Sequence, residues 1–89
     1  MPVERTVRLT NKFGLHIRPA AKIVDLALKC KSEIFILKDT QQANAKSIIE
    51  LATLAAPYGT LLSIRSDGAD AEGVVAAIEQ LINSKFGEE

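Results

Sequence analysis

The chain of 89 residues has one cysteine, one histidine, no tryptophan and one tyrosine. A single cysteine excludes an intramolecular disulfide, and one cysteine with one histidine cannot assemble a zinc-ligand cluster, so neither a metal nor a cofactor is expected. Cys30 reads as a small apolar residue, buried or half-buried. Excess charge of one sign is also missing, with 11 Lys+Arg against 11 Asp+Glu and aromatics at 4%. Without a basic stripe or an aromatic platform, nucleic acid is a poor partner. No segment approaches the roughly 20 apolar residues of a membrane span, and Met1-Pro2-Val3-Glu4-Arg5 lacks the apolar run of a signal peptide, so membrane insertion is not expected and the cytoplasm is. There are no internal repeats and no low-complexity stretches. A chain of this size buries on the order of 60% of its unfolded surface, enough for one core and one domain over 1–89.

Hydrophobic patterning supplies the elements. Val3, Val7 and Leu9 alternate with Glu4, Thr6, Arg8 and Thr10, which predicts a strand over 2–9 with Arg5 interrupting its apolar side. Ala20, Ile23, Val24 and Ala27 recur at helical spacing in a helix running to about Lys29, with basic residues at its end. Leu26 and Leu28 widen that stripe, either as core or as an exposed contact patch, and core is the preferred reading. Ile34-Phe35-Ile36-Leu37 is a strand, and Asp39-Thr40 turns it into a weaker one over 41–43, making a hairpin. Ser47-Ile48-Ile49-Glu50 has the form of a capping box, with Glu50 reaching back to the serine, and starts a short helix. Leu51, Leu54 and Ala55 form its inward stripe, and Pro57-Tyr58-Gly59 ends it. Residues 60–66 form the last strand, with Leu62 and Ile64 inward, and Asp67-Gly68 turns into a helix carrying Val74, Val75, Ile78, Leu81 and Ile82 on one face. Glu72, Glu79 and Gln80 face water, and Gly87 stops that helix. The order β-α-β-β-α-β-α, with half-polar strands, predicts an α+β fold in two layers.

Chemistry centres on Gly14-Leu15-His16-Ile17-Arg18-Pro19-Ala20-Ala21, which places the lone histidine at a loop-to-helix junction. Unpaired N–H groups and the positive end of the dipole make a helix N-terminus an anion site. Arg18 adds a guanidinium fork suited to phosphate oxygens. An imidazole of ordinary pKa is largely neutral near pH 7, so a ring nitrogen can attack a phosphoryl donor without an auxiliary base and give a phosphohistidine. Pro19 suits a first turn, and Gly14 allows close approach of the loop or a positive φ. The plainer reading makes His16 a helix-start residue and Arg18 a solvated charge.

The stretch Gly14-Leu15-His16-Ile17-Arg18-Pro19-Ala20-Ala21 resembles the phosphoacceptor signature of HPr, the histidine-containing phosphocarrier family of the phosphoenolpyruvate-dependent sugar phosphotransferase system. Asn44-Ala45-Lys46-Ser47-Ile48 resembles that family's regulatory serine region, and Gly68-Ala69-Asp70 also matches, so the resemblance covers essentially the whole chain. It implies an open-faced sandwich, a four-stranded antiparallel sheet with three helices on one face. It also implies a carrier rather than an enzyme: His16 accepts a phosphoryl group from the first enzyme of the system, with Arg18 stabilising the phosphate, and passes it to sugar-specific IIA components. The carrier is expected to be a monomer. Ser47 would be the target of an HPr kinase/phosphorylase. Ile17, Ile48, Ile49 and Ala52 would contribute the partner-facing surface. The chain departs from the family at Ile17, where a small alanine is usual, and at Leu28 and Glu50, where many members carry other types, often lysine, which weakens the basic patch expected to meet an acidic partner; Lys12, Arg18, Lys22 and Lys46 remain of it. The alternative is an HPr-like regulatory binding module whose phosphorylation state controls a transcription factor or enzyme. A third reading, an unrelated small α+β scaffold, leaves His16 incidental.

Overall fold

Seven elements follow one another in the computed structural model, which describes residues 2–88. They are β1 (Val3–Arg8), α1 (Ile17–Ala27), β2 (Glu33–Lys38), β3 (Gln41–Asn44), α2 (Ile48–Thr53), β4 (Leu61–Asp67) and α3 (Ala71–Asn83). The sheet has the order β1-β4-β2-β3 with every pair antiparallel. Alternation puts Val7 opposite Leu62, and Ile36 opposite both Ile64 and Ala43, and all five side chains are buried. The next residues along each strand point the other way, so Glu4, Arg65 and Phe35 form a row on the open face. The helices cover the apolar face and complete the core with Ile23, Leu51, Val75, Ile78 and Ile82. This is the expected α+β open-faced sandwich. The expected single domain reaches residues 1 and 89, which lie outside the described residues. No helix among the described residues is long and apolar enough to cross a membrane.

The hairpin forms at Asp39-Thr40, where Lys38 pairs with Gln41 and Asp39 takes a φ of +54°. Element ends differ more from expectation. α1 stops at Ala27 and has no basic residue in its last turn, so Lys29 lies beyond it. Leu28, the C-cap, therefore falls off the buried stripe and is 62% exposed, while Leu26 is half-buried. α2 ends before Pro57-Tyr58-Gly59, because Ala55 turns left-handed at φ +50°; Ala55 is exposed and Ala56 takes the buried place instead. The box at its other end is half formed. Ser47 Oγ accepts from Glu50 N at 3.2 Å, but the Glu50 carboxylate accepts from Asn44 N at 2.9 Å rather than from the serine. α3 ends at Asn83, before Gly87, and a left-handed turn over Lys85–Gly87 follows. Arg5, on the inner side of β1, pairs with Glu79 of α3 at 3.1 Å, which keeps its charge at the rim and takes Glu79 out of open water.

Candidate functional site

The loop from β1 to α1 is fixed at its glycine. Gly14 has a φ of +68°, and a Cβ there would stand 2.3 Å from the Ala56 carbonyl oxygen, so only glycine allows the two loops to lie together. Leu15 N donates to that carbonyl at 2.8 Å, and the buried Leu15 side chain sets the direction from which the chain enters α1. His16 is the N-cap, with extended backbone, and its carbonyl accepts from Ala20 N at 3.0 Å. Pro19, at the third helical position, is buried and has no N–H to leave unpaired. The N–H groups of Ile17 and Arg18 have no partner among the described residues and remain available to an anion.

His16 and Arg18 line one cleft of about 480 Å3 with Lys12, Phe13 and Glu88. The Phe13 ring meets the imidazole edge to face, with centroids 6.2 Å apart, and Lys12 Nζ lies 5.5 Å from the Phe13 centroid. Glu88 Oε2 is 3.0 Å from His16 Nε2, and Glu88 Oε1 accepts from Asn11 Nδ2 at 3.0 Å. Arg18 is exposed and makes no hydrogen bond or ion pair among the described residues. The cleft thus joins a half-exposed imidazole with a guanidinium and helix-start N–H groups that have no partner among the described residues, an arrangement suited to binding an anion.

Phe13 in the cleft wall and Ile17 at the first position of α1 are exposed by 70% and 67%, and Ile48 and Ile49 of α2 by 38% and 77%. Ala52 is half-buried. Ser47 begins α2, which packs beside α1, but it does not line the cleft. Two of the four cations expected to form a basic patch are tied inward instead. Lys22 Nζ donates to the Phe86 carbonyl, and Lys46 Nζ to the Cys30 carbonyl at 3.1 Å. Sequence reasoning passed over Phe13, Asn11 and Glu88. The one available signal was Phe86, an aromatic past the helix end that has to return to the core and so brings the tail back with it.

Residues 3–84 match the family model described as the PTS HPr component phosphorylation site. Phosphocarrier protein HPr of Treponema pallidum is 42% identical over 87 residues, covering 98% of this chain and 99% of its own. Phosphocarrier protein NPr of Escherichia coli K12 is 36% identical over 90 residues, covering all of both chains. The crystal structure of HPr-C-His from Thermoanaerobacter tengcongensis superposes with a TM-score of 0.93 at 42% identity, covering 98% of each chain. An HPr dimer from the same organism gives 0.77 at 41% identity, covering 92% of this chain and 94% of its own.

Proposed function

The chain belongs to the HPr family of phosphocarrier proteins, which are carriers and not enzymes, and we propose that its acceptor is His16. The observation that supports this most is the meeting of His16 with Arg18 in one cleft at the start of α1, where two backbone donors have no partner among the described residues. A ring nitrogen takes the phosphoryl group, and Arg18 with the N–H groups of Ile17 and Arg18 balances its charge. The donor on this reading is the first enzyme of the phosphotransferase system, charged by phosphoenolpyruvate, and the acceptors are sugar-specific IIA components. The exposed Ile17, Ile48 and Ile49, with the half-buried Ala52, form the docking surface, since they lie on two helices packed together and exposed apolar side chains are what a transient protein partner needs. Ser47 is the regulatory site, addressed by an HPr kinase/phosphorylase. The carrier works in the cytoplasm as a single monomeric domain over 1–89.

The likeness to Crh, the Bacillus subtilis catabolite repression HPr, with a TM-score of 0.67 at 34% identity over 90% of this chain and 95% of its own, supports a second reading, a regulatory module whose phosphorylation state is the signal. Intact mass after incubation with phosphoenolpyruvate and the first phosphotransferase enzyme separates the two. The expected result is a gain of one phosphate that is acid-labile and alkali-stable, lost in His16→Ala with an unchanged circular dichroism spectrum. No gain with several such enzymes would leave the regulatory reading, and an acid-labile gain in His16→Ala would move the acceptor elsewhere.

A further inference from the structure

Glu88 reaches the cleft through a turn that side chains disfavour. Lys85 and Phe86 have φ of +60° and +56°, ahead of Gly87 at +71°, so two residues with a Cβ occupy the left-handed region. The turn is held from both sides. The Phe86 ring is 1% exposed within the core, its carbonyl accepts from Lys22 Nζ, and Glu88 N donates to the Lys85 carbonyl at 3.0 Å. The carboxylate so delivered meets a buried amide. Asn11 is fully buried, its Nδ2 donates to Gly14 O at 2.7 Å and to Glu88 Oε1 at 3.0 Å, and its Oδ1 has no partner among the described residues. A buried amide with an orphaned oxygen lowers stability relative to a small apolar residue, and a backbone forced left-handed does the same. Two local rules are broken at once, and both breaks end on the same imidazole.

We propose that Glu88, held by Asn11, is a positioning residue for His16, fixing the ring with its proton on Nε2 so that the Nδ1 lone pair is the one that attacks phosphorus. This rests on the reading of His16 as the phosphoryl acceptor. A neutral imidazole carries one N–H, and a carboxylate 3.0 Å from Nε2 accepts it there, which leaves Nδ1 bare. Nδ1 has no hydrogen-bond partner among the described residues. In the transfer, the Nδ1 lone pair forms the N–P bond while the bond from phosphorus to the donor atom of the phosphorylated partner breaks, its electron pair leaving with the donor. The Nε2 proton stays on the ring, which acquires positive charge, and the Glu88 carboxylate stands beside that charge. The logic is that of a carboxylate behind a catalytic histidine: it selects a tautomer and steadies the cation without taking the proton. Because Glu88 and the phosphoryl group use opposite nitrogens, the tail stays in place during transfer.

The test uses the full chain, without phosphate, labelled with nitrogen-15 in the imidazole, and reads the His16 tautomer by long-range proton–nitrogen correlation at a pH where the ring is neutral. The parent is expected to show the Nε2–H tautomer alone and Glu88→Ala a mixture, with Asn11→Ala moving the same way by less. Glu88→Gln keeps an oxygen acceptor without the charge and should retain the tautomer. The second readout is transfer from the phosphorylated first enzyme. Glu88→Ala and Glu88→Gln should both slow the maximal rate roughly tenfold with KM for the donor unchanged, a smaller loss than for a fully buried carboxylate because the His16 side of the contact is open to water. Should Asn11→Ala fail to fold, the two Glu88 variants still decide the matter. A parental tautomer in Glu88→Ala overturns the proposal, and so does a shifted tautomer with a parental rate, which would make the contact merely structural. A parent chain that takes no phosphate overturns the carrier reading separately, since the tautomer is measured without any donor and still decides whether Glu88 and Asn11 position the ring.

Discussion

Arg18 stands at the second position of α1 with its guanidinium exposed, and nothing among the described residues competes with an incoming phosphate for its five donors. Replacing it with lysine keeps the charge and removes the planar fork. Phosphoryl transfer through His16 is expected to slow by several-fold to about tenfold, while melting stays within about 0.5 kcal/mol of the parent because no buried contact is lost. Stopped-flow transfer and thermal melting on the same samples check this, and a lysine variant as fast as the parent would reduce Arg18 to a diffuse charge. His16 and Arg18 were legible because two positions of sequence hold both and the helix start is written beside them. Glu88 was not, since its contact with His16 spans 72 positions and depends on a left-handed turn at Lys85 and Phe86 that no local propensity favours. Asn11 has a residue type common in turns and gives no local sign of its role. Only its burial separates it from an ordinary turn residue.

α2 has six residues, too few to be stable without help, so its cap bears on the whole element. Ser47→Ala removes the bond to Glu50 N and should cost about 1 kcal/mol, which lowers the melting temperature of a domain this size by roughly 4–8 °C, with transfer to His16 unaffected. Ser47→Asp can still cap, and its charge favours the helix dipole while the nearby Glu50 carboxylate opposes it. It should melt near the parent yet slow transfer, because the charge lands beside the exposed Ile48 and Ile49 where a partner would have to desolvate it. Equal transfer rates in the three proteins, with the donor below saturation, would leave Ser47 as a cap and nothing more. The existence and kind of all seven elements could be read from periodicity, and the serine cap from its own four residues. The ends could not. Ala55 takes a left-handed turn that alanine does not advertise, and Glu50 chose the Asn44 N–H over the serine's because β3 delivers that donor to it.

At the scale of the molecule, one carboxylate clasps segments that lie far apart in sequence and that the pairing of β2 with β4 brings side by side. Asp70 stands at the N-cap of α3 but gives that helix no side-chain cap. It reaches instead to the connection between α1 and β2, where Oδ2 accepts from Lys31 N and Oδ1 from Ser32 N, both at 3.0 Å, and Oδ1 also accepts from the Ser32 hydroxyl. Gly68 lets the chain come this close, since a Cβ there would stand 2.4 Å from Ser32 Oγ. The Ser32 hydroxyl, and after it the Lys31 N–H, hold the Asp70 carboxyl below its ordinary value of 3.8. A carboxylate whose folded pKa is depressed stabilises the fold above its unfolded pKa and ceases to do so as pH falls through the folded one. Asp70→Asn, which replaces one acceptor oxygen with a donor, should therefore melt below the parent at neutral pH. The gap between the two proteins should hold down to about pH 3.8 and close below it, as the parent's carboxylate takes up its proton. Melting curves of both proteins from neutral pH to about pH 2 measure this. A gap that keeps the same width across that range would mean that the clasp works by its shape and not by its charge, and the three hydrogen bonds to Asp70 would then be no stronger than those of a neutral amide.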